Sequence, residues 1–305
     1  MNKRAVDGVL LLDKPKGKTS NLVLQIVKRL FRAQKAGHSG SLDPLASGLL
    51  PICFGEATKF SRFLLESDKQ YQVTALLGVR TDTGDSEGCI LEERTVPAFS
   101  ESVIETVLES FRGDILQVPS MYSALKHQGQ PLYKLARQGI EIERSARALT
   151  VHTLEILEYS HTILRLEIKA SKGTYVRTLV EDIGKALGCG AHVVELRRLG
   201  AGPYTADQMI SLETLEAVAA EQGVEKLDEF LLPLGTSVVG VPNMVLSDAA
   251  AFYLRKGQPV ILPYAPSKGW VKLILKDNRF LGVGEILEDG RVAPRRLTAE
   301  TAVPF

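Results

Sequence analysis

The sequence predicts an α+β fold with a large first domain and a small β-rich second one. Helical and strand patterns are mixed along the chain without strict βαβ alternation, which disfavours a doubly wound parallel sheet. A length of 305 residues suits two domains, or one large domain with an accessory one. The composition changes near residues 232–243. We therefore expect domains at residues 1–242 and 243–305, the second of them all-β.

The composition predicts a globular protein that is not a general polycation. Hydrophobic residues make up 45% of the chain, charged residues 24%, and the net charge is +1. The cysteines are 3, an odd number, and neither they nor the histidines have metal-ligand spacing. The apolar stretch near the N-terminus, residues 9–12, is too short for a signal peptide or a membrane span. We expect a cytoplasmic protein without a metal site or a membrane segment.

The first half of the chain alternates between strand and helix patterns. Residues 9–12 read as a short buried strand, and Ser20 is placed to cap an amphipathic helix after it. Residues 71–79 alternate as a strand, and residues 101–112 have a helical pattern. Residues 115–140 contain no acid and several helix and strand breakers. We expect an excursion from the main sheet at about 115–147 that closes over a ligand.

The second half of the chain also contains strand and helix patterns. Residues 163–170 alternate as a strand, Thr174 can cap a following helix that ends at Gly188, and residues 192–198 suggest a further short helix. After the domain boundary, short strands are expected at 260–262, 271–275 and 280–286.

One carboxylate stands out because of its surroundings. Asp43 lies in a loop of small residues, 37–48, directly after a stretch from Lys14 to Leu42 that contains no acid. That stretch holds seven cations: Lys14, Lys16, Lys18, Lys28, Arg29, Arg32 and Lys35. A single anion at the edge of a cationic surface indicates chemistry on a polyanion, because the cations can hold phosphates while the carboxylate does another task.

Simpler interpretations of this region stay open. An Asp before a Pro in a Gly- and Ser-rich loop is commonly a turn former. Residues 17–20, Gly-Lys-Thr-Ser, imitate the end of a phosphate-binding P-loop, but that motif needs a Gly where this chain has Leu12. Pro15 also removes an amide that such a loop would use to bind phosphate. A P-loop is therefore disfavoured.

A second candidate segment joins the strand at 163–170 to the next helix. Tyr175 and Arg177 are two residues apart at the helix start and can both project towards a ligand. They can equally be a half-buried tyrosine and a solvated arginine. Tyr71 lies on the apolar face of its strand, so the pattern alone makes it a core residue.

Residues 37–51 closely resemble the catalytic motif of the TruB family of tRNA pseudouridine synthases. Further segments resemble that family in the same order: residues 12–20, 69–71, 81–85, 119–126, 172–179 and 196–198. Ser39, Ser41 and Ser47 stand where threonine is commoner, and each keeps the hydroxyl. The C-terminal region is similar to the small PUA RNA-binding module, with a looser match.

The resemblance implies roles for individual residues. Asp43 matches the catalytic aspartate, and Arg177 matches the arginine that pairs with it. Tyr71 matches the tyrosine that packs on the target base, which replaces its interpretation as core, and Tyr175 matches a uridine-binding tyrosine. His38 matches the histidine that fills the space left by the flipped base.

The resemblance also implies a pocket role for Leu196 and a place near the site for Lys14. The implied substrate is the uridine at position 55 in the T-arm of tRNA, isomerised to pseudouridine without a cofactor. We expect a monomer. The acid-free stretches supply candidate contacts to the RNA backbone: Lys28, Arg29, Arg32, Lys126, Lys134 and Arg137.

Two other classes remain as alternatives. A non-catalytic RNA-binding or tRNA-folding protein could use the same basic surface. A carboxylate glycosidase needs two opposed acids, and here Asp82 or Asp85 would have to fold back towards Asp43.

Overall fold

The computed structural model describes residues 3–299 of the chain. Within that range, a ten-stranded sheet and a four-stranded sheet account for most of the β-structure. The strands are β1 (Gly8–Lys14), β2 (Ala36–His38), β3 (Ser47–Phe54), β4 (Lys69–Leu77), β5 (Val79–Thr81), β6 (Ile90–Glu93), β7 (Gly113–Gln117), β8 (Lys126–His127), β9 (Gln130–Pro131), β10 (Arg147–Ser160), β11 (Ile163–Ala170), β12 (Ala191–Ala201), β13 (Tyr204–Thr205), β14 (Ile210–Ser211), β15 (Asn243–Val245), β16 (Gly269–Ile274), β17 (Phe280–Ile286) and β18 (Val292–Leu297). The α-helices are α1 (Ser20–Leu30), α2 (Ser61–Leu65), α3 (Glu101–Glu109), α4 (Leu132–Ala136), α5 (Val176–Ala186), α6 (Leu212–Gln222) and α7 (Asp248–Arg255).

The large sheet is mixed and mainly antiparallel, which confirms the predicted α+β class. Eight of its strands follow the order β14-β1-β3-β12-β4-β11-β10-β7, while β2 pairs with β3 and β13 pairs with β12. Strand β12 lies in the middle, parallel to β3 on one side and antiparallel to β4 on the other. Apolar clusters that pack against the sheet include Ala191, Val193, Leu196 and Ala201 of β12.

Strand β12 corrects the sequence-based expectation of a short helix at residues 192–198. A short apolar segment of this length does not distinguish a buried strand from a helix. The choice is made by partners distant in sequence, because β3 and β4 supply backbone hydrogen bonds on both sides.

Two predicted helix caps are also wrong by one residue. The N-cap of α1 is Thr19, whose Oγ1 accepts the Leu22 N–H at 3.1 Å, and not Ser20. The N-cap of α5 is Tyr175, whereas the Thr174 hydroxyl donates to the Ser171 carbonyl at 2.9 Å. The Ser20 hydroxyl is therefore free for another partner.

The C-terminal region is built on the sheet β15-β16-β17-β18. Helix α7 was not predicted, and Val260 forms an isolated bridge to Val292 where a strand at 260–262 was expected. The division at residues 242 and 243 stays a proposal. Residues 1–2 of the domain expected at 1–242, and residues 300–305 of the domain expected at 243–305, lie outside the described residues.

The two regions share an apolar contact. The rings of Phe60 and Phe280 lie 4.9 Å apart, centroid to centroid, and Val283 is buried in the same cluster. Lys272 Nζ adds a hydrogen bond to the Gly235 carbonyl at 2.6 Å. Along residues 3–299, no helix is long and apolar enough to cross a membrane.

Candidate active site

The Asp43 loop enters the centre of the large sheet through Gly48. This glycine pairs with Arg198 of β12 and has φ +97°. A Cβ there would lie 2.3 Å from the Arg198 carbonyl oxygen. Only glycine allows both the backbone conformation and this close approach, so the loop is held directly against β12.

The loop brings Asp43 into contact with Arg177 at the start of α5. Arg177 Nε lies 2.9 Å from Asp43 Oδ2. The arginine side chain is only 7% exposed, whereas the Asp43 side chain is 42% exposed. The pair therefore consists of a buried cation and a carboxylate that a ligand can reach.

Three further acceptors fix the Arg177 guanidinium. Nη1 donates to the Thr83 carbonyl at 2.7 Å and lies 3.3 Å from Asp85 Oδ2. Nη2 donates to the Tyr122 carbonyl at 2.9 Å. With every nitrogen of the fork engaged, the guanidinium cannot turn away from Asp43 without losing several charge-assisted contacts.

Asp85 holds the arginine and is not placed as a second reacting acid. Its side chain is 5% exposed, and Oδ1 accepts from the Thr83 hydroxyl at 2.7 Å and from the Glu87 N–H at 3.1 Å. Asp82 is occupied in a similar way by the Tyr122 hydroxyl and the Cys89 N–H. Both acids are thus engaged by protein groups, which disfavours either one as the second reacting acid of a glycosidase.

The environment of Asp43 has opposing effects on its acidity. Burial raises the pKa of this carboxyl above 3.8, the Arg177 charge lowers it, and the Asp85 charge raises it. Burial is the largest effect, so the net pKa is raised. The carboxylate is thus more basic than a free aspartate while the arginine keeps it oriented.

Two neighbouring strands supply the walls next to the loop. Tyr71 of β4 packs against an apolar cluster that includes Leu42 and Leu196, and Leu196 is 7% exposed. Arg198, buried on β12 close to Tyr71, donates to the Leu49 carbonyl at 2.6 Å and to the Gly40 carbonyl at 3.1 Å. The core contact inferred from the strand pattern is therefore present, and the base-packing role implied by the resemblance stays a prediction for Tyr71.

Tyr175 lies within electrostatic range of Asp43, and His38 lies near the buried Arg198. The Tyr175 N–H donates to Gln117 Oε1 at 2.9 Å, and Gln117 Nε2 donates back to the Tyr175 carbonyl at 3.1 Å. Burial raises the pKa of the Tyr175 hydroxyl, so it stays neutral. Burial and the Arg198 charge lower the pKa of His38 below 6.5, and its buried Nδ1 has no hydrogen-bond partner. His38 is therefore a neutral ring at neutral pH.

Comparison with known proteins shows the family of this chain. Residues 28–176 match the TruB family pseudouridylate synthase N-terminal domain, and residues 177–239 match the tRNA pseudouridylate synthase B C-terminal domain. Residues 242–298 match the C-terminal domain of pseudouridine synthase II TruB. A tRNA pseudouridine synthase B of Coxiella burnetii is 59% identical over 97% of this chain and 96% of its own length. This chain belongs to the TruB family of pseudouridine synthases. It is therefore an isomerase.

Further relatives extend the comparison. A tRNA pseudouridine synthase B of Tolumonas auensis is 54% identical over 96% of this chain and 93% of its own length. Among solved structures, an H/ACA ribonucleoprotein bound to a substrate RNA containing 2′-deoxyuridine superposes with a TM-score of 0.74 at 25% identity. That match covers 97% of this chain and 86% of the other. The TruB fold therefore extends over nearly the whole chain.

Lys14 is buried close to Asp43. It is fully buried, and Nζ donates to the carbonyls of Pro15 at 2.9 Å and Lys18 at 2.6 Å. Burial lowers the pKa of this amine to about 8 although Asp43 lies nearby. Lys14 therefore holds the backbone at 15–18 near Asp43, and a direct contact with substrate stays a prediction.

The expected RNA-backbone residues fall into two groups. Lys28, Arg29 and Arg32 lie at the C-terminal end of α1, about 12 Å along the helix from Ser20, which contacts the Asp43 loop. Lys126, Lys134 and Arg137 are exposed on the excursion. The Tyr122 hydroxyl ties this excursion to Asp82 at 3.1 Å. The excursion therefore contacts the site directly through Tyr122, whereas the basic end of α1 lies about 12 Å from the nearest contact with the Asp43 loop.

Several residues of this TruB site escaped the sequence analysis. Asp85 lay in a segment that was noted for its resemblance, but its contact with Arg177 spans 92 positions and has no periodic signal. Gln117 and Arg198 were likewise invisible to local patterns. Along residues 3–299, no group of three or more His, Cys, Asp or Glu side chains could hold a metal ion.

Proposed function

We propose that this chain converts uridine 55 in the T-arm of tRNA to pseudouridine, with Asp43 as the nucleophile. The observation that carries the proposal is the 2.9 Å contact between the accessible Asp43 carboxylate and the buried Arg177 guanidinium. An accessible, oriented carboxylate without an opposed acid suits nucleophilic chemistry better than hydrolysis with paired acids.

The reaction places clear demands on the site. The bond between N1 of uracil and C1′ of ribose breaks, C5 becomes bonded to C1′, and the C5 hydrogen leaves as a proton while N1 gains one. No redox change occurs and no net water is consumed, so the chemistry needs no cofactor. Free uracil must be kept from escaping between the two bond changes, which favours a closed pocket.

The residues around Asp43 fit those demands. The nucleophile must be ionised, and Arg177 favours its charged form while burial and Asp85 oppose it. Tyr71 supplies an aromatic face for the extruded base, and Leu196 and Tyr175 supply further walls. His38 is neutral and can occupy the space that the base leaves in the RNA loop.

The target base lies inside a folded RNA loop and has to be extruded. Unstacking costs a few kcal/mol, which stacking on Tyr71 and phosphate contacts offset. We assign the phosphate contacts to two groups of cations: Lys28, Arg29, Arg32, Lys126, Lys134 and Arg137. The excursion at about 115–147 closes over the RNA, and the PUA-like domain proposed at 243–305 adds a second contact.

The proposal also covers the oligomeric state of the protein and the cellular compartment in which it acts. We propose that the protein acts as a monomer. The cysteines of the described chain are unpaired, as expected in a reducing cytoplasm.

A tritium-release assay tests the proposal. A tRNA transcript labelled at C5 of uridine should release tritium and yield one pseudouridine per molecule, at position 55. A transcript with cytidine at position 55 should release none. Release of free uracil would indicate hydrolysis, and binding of tRNA without any conversion would indicate a non-catalytic RNA-binding or tRNA-folding protein.

A further inference from the structure

Ser20 makes an unusual pair of hydrogen bonds beside Asp43. Its hydroxyl donates to the Leu42 carbonyl at 2.9 Å and accepts the Leu42 N–H at 2.7 Å. Ser20 is 4% exposed and Leu42 is 6% exposed. The hydroxyl is available because Thr19, and not Ser20, caps α1.

The backbone on the other side of Asp43 is held by the same segment. The Gly17 N–H donates to the Pro44 carbonyl at 2.7 Å. Lys14 fixes the chain around Gly17 through its bonds to Pro15 and Lys18. The residues immediately before and after Asp43 are thus both bonded to the segment 14–20.

Leu42 depends on this serine because it lies in an irregular loop with no strand partner. A hydroxyl can donate and accept at once, so Ser20 satisfies both backbone groups of a single residue. Alanine at position 20 would leave a buried N–H and a buried C=O without their partner, and each such group is costly. The backbone would then shift to regain hydrogen bonds, and Asp43 would move with it.

We propose that Ser20 is a positioning residue that fixes the Asp43 carboxylate against Arg177. The inference rests on the proposed function, because it assigns a purpose to the placement of Asp43. Misplacement of a reacting group by about 1 Å can cost on the order of 100-fold in rate. The Gly-Lys-Thr-Ser run that imitates a P-loop therefore serves the catalytic loop, with its last hydroxyl bound to protein backbone.

The test compares two buried serines in the full chain. Ser237 is fully buried, and its hydroxyl donates to the Leu234 carbonyl at 2.9 Å, outside the Asp43 loop. Single-turnover rates at saturating enzyme and tRNA dissociation constants are measured for Ser20→Ala, Ser20→Thr and Ser237→Ala. We expect Ser20→Ala to lower the rate at least tenfold with the dissociation constant changed less than twofold. Ser237→Ala should keep the rate within twofold, and Ser20→Thr should recover most of it.

Other results would overturn the inference. One is a Ser20→Ala single-turnover rate within twofold of wild type. A second is a Ser20→Ala variant that loses only tRNA affinity. A third is a Ser20→Thr variant as slow as Ser20→Ala. Should Ser20→Ala not fold, Ser20→Cys keeps the volume with a weaker hydrogen-bonding group, and it should be at least threefold slower. A Ser20→Cys variant at full rate would then refute the role.

Wild type and Asp43→Asn are run in parallel to separate the two proposals. A wild type that forms no pseudouridine, or an active Asp43→Asn, contradicts the proposed function itself. An active wild type, an inactive Asp43→Asn and an unaffected Ser20→Ala contradict only the role of Ser20.

Discussion

Asp85 lies behind Arg177, with Oδ2 3.3 Å from Nη1 and with both side chains less than a tenth exposed. On its other side, the same guanidinium meets the partly exposed Asp43. One cation is therefore shared between a buried carboxylate that holds it and an accessible carboxylate that it orients. The predictions below follow from this arrangement and from the packing around it.

Replacing Asp85 by asparagine should slow the reaction without abolishing tRNA binding. The variant keeps the shape but removes the charge that holds Arg177 from behind. We expect a 10- to 100-fold lower single-turnover rate and a lower melting temperature, because a buried cation loses part of its compensation. Asp114, an exposed acceptor for the Thr150 hydroxyl, provides the control: Asp114→Asn should keep the wild-type rate. An Asp85→Asn variant as fast as that control would show that Arg177 needs no support.

The pH dependence of the rate should report the ionisation of Asp43. Its pKa is raised above 3.8 by burial, and only the charged form is a nucleophile. The rate should therefore fall as the pH drops through that raised pKa, about tenfold per pH unit. Since the Asp85 charge contributes to the rise, Asp85→Asn should move this acid limb to lower pH. Rate profiles of both proteins from neutral pH downwards check the direction, and a shift to higher pH would contradict the assigned electrostatics.

The basic end of α1 should contribute to affinity through phosphates alone. Changing Lys28, Arg29 and Arg32 together to alanine should weaken tRNA binding and make the slope of log K against log salt shallower by about 2 to 3. Arg112, Arg165 and Lys226 each pair with a carboxylate, and the matched triple alanine variant should leave the slope unchanged. Equal slopes for wild type and the α1 variant would remove this surface from the RNA interface.

The contact around Phe60 should couple the two regions in unfolding. Phe60 is fully buried against Phe280 and Val283, so Phe60→Ala should lower the free energy of unfolding by about 3–5 kcal/mol. Phe252, which is 57% exposed, is the matched control, and Phe252→Ala should change it by less than about 0.5 kcal/mol. Urea unfolding followed by circular dichroism measures both, and a negligible effect of Phe60→Ala would mean that the contact adds no stability.

Local patterns predicted the elements whose burial follows a clear period. The strand at 163–170 was predicted with its observed bounds, because one face alternates into the core. Thr19 and Ser20 show the limit of local patterns, because either residue type can cap a helix. Thr19 caps α1, and Ser20 instead bonds to Leu42, which is 22 positions away in sequence. Strand β12 was mistaken for a helix for the same reason, because its partners are distant in sequence.

The same limit applies to the site residues: those marked by local features could be predicted, and those defined by long-range contacts could not. Asp43 could be singled out because its loop and charge environment are local features of the sequence. Its pairing with Arg177 came from the resemblance, since no local pattern links the two positions. The support from Asp85 and Ser20 became visible only in three dimensions, where loops far apart in the chain meet at the guanidinium and at Leu42.

The most direct test of the whole account is the single-turnover conversion of uridine 55 by wild type and by Asp43→Asn, each at saturating enzyme. Asparagine keeps the size of the side chain and removes the nucleophile, so tRNA binding should be retained while pseudouridine formation falls below detection. An Asp43→Asn protein that binds tRNA and still forms pseudouridine at the wild-type rate would contradict the central claim.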